Sequence, residues 1–291
     1  MESESNNSFT VTPMSQRVSL EPGQVYEGSI TVVNPVNSES DFSYKVEVSP
    51  YSVVGEGYSA DLATKSNYTM MTDWVTIEEP KGTIKPNNSA EIKYKITVPQ
   101  NAPGGGQYVA ITVSQDKSQN ATSGGVAVDN VFEMASLLYG EVAGETKHEG
   151  EVLENHIPGF VTSAPITLSA LVKNDGNVHE TATVVIEARN LFSGQELVST
   201  EDNNNKYTEL IMPETTRRIE RDINENLPAL GIVHVEQTIY YQGQQSKEVK
   251  DVFICPVWFI ILCAVTLCAI IATIVGIVLK HKKKNKAMDL D

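Results

Sequence analysis

Along most of the chain, apolar and polar residues alternate. Phe42, Tyr44, Val46 and Val48 stand at every second position, with Ser43, Lys45 and Glu47 between them. Successive side chains of a strand point to opposite faces, so a period of two predicts a half-buried strand over 42–48. The same pattern predicts strands over 30–33, 74–77, 92–98, 108–113 and 131–142. Between them lie turn residues: Glu21-Pro22-Gly23-Gln24, Asn34-Pro35-Val36-Asn37, Ile84-Lys85-Pro86-Asn87, and a Pro-rich run ending in Gly104-Gly105-Gly106, read as a hairpin turn. Residues 50–73 are less regular and read as a long loop with short extra strands. Residues 114–125 read as a polar loop, and residues 1–8 as a disordered, polar N-terminus.

Beyond a charged stretch at 144–151, read as a linker, the plan repeats. The apolar run 166–172 ends in Asn174-Asp175-Gly176-Asn177, as 30–33 ends in Asn34-Pro35. Residues 182–188 alternate as 42–48 do, and Ile211-Met212-Pro213 matches Ile84-Lys85-Pro86. Ile219, Arg221 and Ile223 match 92–98, and 233–241 matches 108–113. Short strands at even spacing between Gly, Pro and Asn turns predict an all-β chain of two tandem immunoglobulin-like β-sandwiches, over 9–143 and 152–250. The interval from Asn34 to Ile84 is longer than that from Asn174 to Ile211, so the first copy carries the extra loop length, where binding usually resides.

Residues 252–279 hold no charge and are long enough to cross a bilayer as one transmembrane α-helix. Phe253, Trp258 and Phe259 gather at its leading end, as interfacial aromatics do, and Pro256 sits where a missing amide costs least. Lys280, Lys282, Lys283, Lys284 and Lys286 follow, so the tail over 280–291 is expected in the cytoplasm and residues 1–251 outside the cell membrane. A charged joint at 247–251 would bring the second domain close to the bilayer. The N-terminus has neither a basic start nor an apolar core, so a removed signal peptide is expected. Ala264, Cys268, Ala272 and Gly276 recur at every fourth position and form a candidate helix-packing face, suited to a homodimer or another span.

Charge and cysteine content narrow the partners. The chain has 22 Lys and Arg against 37 Asp and Glu, a formal net charge of −15. That excludes a nucleic-acid binder, which needs a basic footprint. Cys255, Cys263 and Cys268 all fall within the apolar run, leaving none outside it for a disulfide. A cysteine-free ectodomain of this size points to a bacterial surface, and among bacteria to a Gram-positive one. His148, His156, His179, His234 and His281 are scattered, and no G-x-S-x-G or phosphate loop occurs. Asp175-Gly176 and residues 202–205 lack calcium-loop spacing. No enzyme activity, metal or cofactor is expected. Tyr51, Tyr58, Tyr68, Met70, Met71 and Trp74 are the candidate partner contacts, because the 50–74 segment is rich in residue types that make interface hot spots. For Trp74 a core anchor at the start of a strand is the reading preferred over a contact.

Phe9-Thr10-Val11-Thr12-Pro13, Leu20-Glu21-Pro22-Gly23-Gln24, the 30–34 strand ending in Asn34, Ile84-Lys85-Pro86, and the run from Val98-Pro99 to Gly106-Gln107-Tyr108 resemble the first domain of WxL-interacting cell-surface proteins of Gram-positive bacteria. The order of parts is similar too: two sandwiches, one C-terminal span, a short lysine tail. The resemblance implies peptidoglycan (cell wall) binding by the first domain, binding of host or partner proteins by the second, and partners that carry W-x-L motifs. The expected function is a membrane-anchored, non-catalytic cell-surface binding protein for peptidoglycan or a surface protein. The alternative is a structural stalk, or an accessory subunit of a membrane complex recognised through its helix.

Overall fold

The computed structural model describes residues 9–38, 40–116, 132–198, 206–224 and 226–288, the side chains of residues 206 and 281–288 excepted. The expected disordered segment 1–8, most of the 114–125 loop, the 202–205 turn and the tail lysines beyond Lys280 lie outside the described residues. Among those described, the chain is all-β except for one 3-10 turn, Met70–Asp73, and one C-terminal helix.

The first part contains β1 (Thr10–Thr12), β2 (Ser15–Leu20), β3 (Val25–Asn34), β4 (Phe42–Pro50), β5 (Ser52–Val54), β6 (Ser59–Asp61), β7 (Val75–Ile77), β8 (Lys81–Ile84), β9 (Asn88–Thr97), β10 (Gly105–Gln115) and β11 (Glu133–Val142). One sheet has the order β1-β3-β9-β7 and the other β2-β11-β10-β4-β8. Val11, Ile30, Ile92 and Ile96 from one sheet share a single buried core with Leu20, Val46, Ile111 and Leu138 from the other, which makes a β-sandwich.

The second part contains β12 (Gly150–His156), β13 (Phe160–Val161), β14 (Ile166–Asn174), β15 (Glu180–Asn190), β16 (Glu196–Val198), β17 (Lys206–Ile211), β18 (Thr216–Ile223), β19 (Gly231–Tyr241) and β20 (Gln244–Ile254). Its sheets run β12-β14-β18 and β13-β20-β19-β15-β16, with β17 also beside β15. Both parts divide their first strand between two sheets, and in both the second piece lies parallel to the last strand: β2 beside β11, β13 beside β20.

The repeat extends to single atoms. Asn34 ends β3 and Asn174 ends β14, and both are buried, at 2% and 0% exposure. Asn34 Nδ2 donates to the carbonyls of Ser40 (3.0 Å) and Ile84 (2.9 Å). Asn174 Nδ2 donates to those of Val178 (2.8 Å) and Ile211 (3.0 Å). Each amide thus ties the strand end to the turn that follows it and to the matching Ile-x-Pro segment. The turns after those segments match as well: Asn87 and Glu214 both have positive φ, at 61° and 54°.

By packing, the chain resolves into two compact units. The first comprises Met1–Glu151, Val172–Thr181 and Leu210–Arg218; the second comprises Val152–Leu171, Ala182–Glu209 and Ile219–Asp291. Within the first unit the 144–151 stretch is hydrogen-bonded along its length. Asn177 Oδ1 accepts from Lys147 N (2.6 Å), Asn177 N donates to Lys147 O (3.1 Å) and Asp175 N donates to Glu149 O (2.8 Å). Gly176 sits so close to this stretch that a Cβ there would collide with the Lys147 carbonyl oxygen.

Three sequence expectations change. The charged joint at 247–251 is part of β20, which pairs in register with β19 from Gly231↔Ile254 to Tyr241↔Gln244. Its residues from Ser246 to Asp251 are exposed or half-buried, with no buried face, so hydrophobicity did not reveal it. Gly105 and Gly106 open β10; the chain turns earlier, where Ala102 N donates to Pro99 O (3.1 Å). The helix (α1, Val257–Met288) starts five residues after the apolar run begins. Val252 and Ile254 fill the sandwich interior and Cys255 is buried, so these positions belong to β20 and the joint after it. Proline lacks the donor a helix interior needs, and the helix forms just after Pro256, whose carbonyl accepts from Phe259 N (3.0 Å).

Candidate functional site

The 50–74 segment divides its side chains between two environments. Met71, fully buried, and Trp74 join the core beneath β10, and Met70 packs against that core. The turn carrying them is pinned by Gln107, whose Oε1 accepts from Met71 N (3.2 Å) and whose Nε2 donates to Asn67 O (2.8 Å).

Tyr51, Tyr58 and Tyr68 turn instead into a polar and aromatic cluster inside the first unit. Tyr51 meets Tyr139 edge-on at 6.0 Å between centroids; Tyr139 meets Tyr108 at 5.8 Å and His179 at 5.6 Å. The Tyr108 hydroxyl accepts from His179 N (2.9 Å) and lies 3.2 Å from His179 Nδ1. Tyr58 accepts from Met212 N (2.9 Å) and bonds the Thr215 hydroxyl, with the Arg217 guanidinium 4.6 Å from its ring centre. Glu56 Oε2 accepts from Arg218 Nε (2.9 Å). Tyr108, Tyr139, His179 and Arg217 escaped the sequence reading. A histidine or tyrosine inside an alternating strand looks like any other, and the one signal available was Gln107, a polar residue beside the apolar run Tyr108–Ile111 of β10.

Electrostatics hold the phenols of this cluster protonated and its imidazole neutral. Burial, then the hydrogen-bonded Glu214 carboxylate, pushes the Tyr68 phenol up to about 12. Burial also raises Tyr108 and Tyr139. Burial, helped by Arg17, lowers His179 and favours neutral imidazole. A phenol with a raised pKa stabilises the fold below the unfolded value near 10, and this contribution is lost as pH rises toward about 12. An ultraviolet titration is therefore expected to show Tyr68, Tyr108 and Tyr139 still protonated at about pH 11 and ionising with unfolding. Smooth titration of every tyrosine near pH 10 with the fold intact would contradict the cluster's burial.

The second unit has a shallow cavity of about 230 Å³, lined by Glu187, Ala188, Arg189, Glu196, Val198, His234 and Glu236. Two of its ionisable side chains meet an opposite partner: His234 Nδ1 lies 2.7 Å from Asp251 Oδ1, and Glu236 pairs with Lys247. None of the described residues lining it carries a hydroxyl or thiol. Among the described residues no three His, Cys, Asp or Glu converge to hold a metal.

Helix α1 contains a stretch, Val257–Lys280, of mean hydropathy 2.9 with none of it buried, long and apolar enough to cross a membrane. Ala264, Cys268, Ala272 and Gly276 lie open on it, and nothing stands within 4 Å of a Cβ placed at Gly276.

No protein-family model matches the chain, and no curated protein matches it. Among solved structures it is similar to the class 5 fimbriae chaperone CfaA (14% identity, 84% of this chain and 99% of that one, TM-score 0.40). It is similar also to the E. coli chaperone DraB (13%, 84% and 96%, TM-score 0.39) and to the PapD-like domain 7 of human CEP192 (13%, 50% and 92%, TM-score 0.31). Likenesses of this size carry no argument about function.

Proposed function

We propose that the chain is a single-pass membrane protein that displays two tandem immunoglobulin-like sandwiches on the outer face of the cell membrane and acts by binding, without catalysis. The observation that carries this is the wholly uncovered apolar helix Val257–Lys280, joined to the last strand of a sandwich and followed by lysines. Apolar surface of that extent is stable only when something other than water covers it, and its length fits a bilayer. The ligand is peptidoglycan or a surface protein, W-x-L proteins included; its support is the sequence resemblance.

One finding favours the alternative, a stalk or accessory subunit recognised through the span. Tyr58, Tyr68, Met71 and Trp74 are engaged within the first unit, while the helix offers its whole circumference. The test is retention of the full-length protein, held in nanodiscs, on purified cell walls and on surface-protein extract. Retention above that of an unrelated membrane-anchored sandwich is the expected result. No retention, together with co-purification of a second membrane protein that is lost on exchanging the helix for an unrelated span, would establish the stalk reading instead.

A further inference from the structure

The register of the second unit places an unusual set of residues at one end of its sandwich. Strand β15 ends at Asn190 opposite Val233, and β19 begins at Gly231 opposite Ile254, the last residue of β20. Phe160 of β13 pairs with Phe253 in the same row. The turn after β15, the segment before β19 and the row of β13 and β20 therefore share one end, the end from which the chain leaves for α1.

Turn tips are ordinarily polar. At this end they carry Phe192 (77% exposed), Leu191 (45%) and Leu230 (39%), beside Phe160 (50%) and Phe253 (40%). The two phenylalanine rings lie side by side, 6.0 Å between centroids and tilted at 50°, and so form a continuous apolar surface. Phe9 and Phe42, by contrast, are buried. The turn at the opposite end of β19 and β20 is polar, made of Gln242 and Gly243. Two to four residues behind these apolar side chains runs a row of charge: Arg189 opposite His234, and His234 opposite Asp251. Only Cys255 and Pro256 separate β20 from α1, so the strand end lies within about 10 Å of the first helical turn, where Val257 and Trp258 are exposed.

We infer that this end of the second sandwich docks on the bilayer, with Leu191, Phe192, Leu230, Phe160 and Phe253 seated in the interfacial layer around the helix and the Arg189–His234–Asp251 row at headgroup level. The inference rests on α1 being a span. Aromatic and aliphatic residues at loop tips, backed by charge, match the change from acyl chain to headgroup. A joint of two residues holds the tips too near the membrane to avoid it. The occupant is the lipid surface itself, the one apolar phase to which the chain's own helix leads.

The test uses the full chain in phosphatidylcholine vesicles, with Cys255→Ala, Cys263→Ala and Cys268→Ala as background. A polarity-sensitive dye is attached in turn at Ser193→Cys, Gln245→Cys and Val265→Cys. Brominated lipid should quench the dye at 193 and 265, while aqueous iodide quenches it at 245. Adding Leu191→Ser and Phe192→Ser should return the dye at 193 to iodide. If 193 is iodide-accessible while 265 is lipid-quenched, the docked end is refuted and the span stands. If 265 is also iodide-accessible, the span reading has failed and this inference with it.

Discussion

Val265→Arg combined with Ile270→Arg is expected to release the protein from the membrane fraction on alkaline carbonate extraction. Both positions lie mid-way along the uncovered apolar helix. On insertion scales an aliphatic residue contributes a few tenths of a kcal/mol and a central arginine costs about 3, so the pair removes roughly 7 kcal/mol. The aliphatic residues that remain, at a few tenths each, barely offset that loss. Val54→Arg, at an exposed position of the first unit, should leave extraction unchanged. If the double-arginine variant stays in the membrane as firmly as the parent, the protein is held there by something other than this helix.

The second large effect concerns the paired asparagines. Asn174→Ala should lower the unfolding free energy by about 3 kcal/mol, because two carbonyls lose a buried donor at about 1–3 kcal/mol for each group left short. Asn174 Oδ1 also accepts from Gly176 N (2.8 Å), which fixes the turn that follows. The informative comparison is Asn174→Asp. It has the same shape, but it aims a carboxylate at the Val178 and Ile211 oxygens, so it should cost at least as much as alanine. Asn34→Ala and Asn34→Asp should behave alike, through Ser40 and Ile84. Denaturant melts of the four variants check this, and near-neutral aspartates would mean the amides fill space rather than bridge.

Those asparagines show how much was legible beforehand. Asn34 with Ile84-Lys85-Pro86, and Asn174 with Ile211-Met212-Pro213, were recognisable as a repeated pattern because a buried turn constrains residue type at fixed points. The strands around Phe42–Pro50, Asn88–Thr97 and Gly231–Tyr241 were recognisable because each hides one face. Strand β20 was not, since its pairing with β19 is made by backbone and by ion pairs such as Lys247–Glu236. The candidate site was legible only in part. Composition singled out the 50–74 segment, but not that Met71 and Trp74 pack inward while Tyr58 reaches Met212, a contact between residues 154 positions apart. Such a contact leaves no local periodicity in either segment.

The near-absence of a linker between β20 and α1 has a mechanical consequence. A pull on the second sandwich is transmitted to α1 along an 11-residue strand held by β19 along its length and by β13 at Phe253 and Ile254. Because the strand is drawn along its own axis, the load falls on many rungs together and acts as shear, not as peeling one rung at a time. Tension of this kind reaches the helix as a rigid lever would deliver it, with no slack chain to absorb it first.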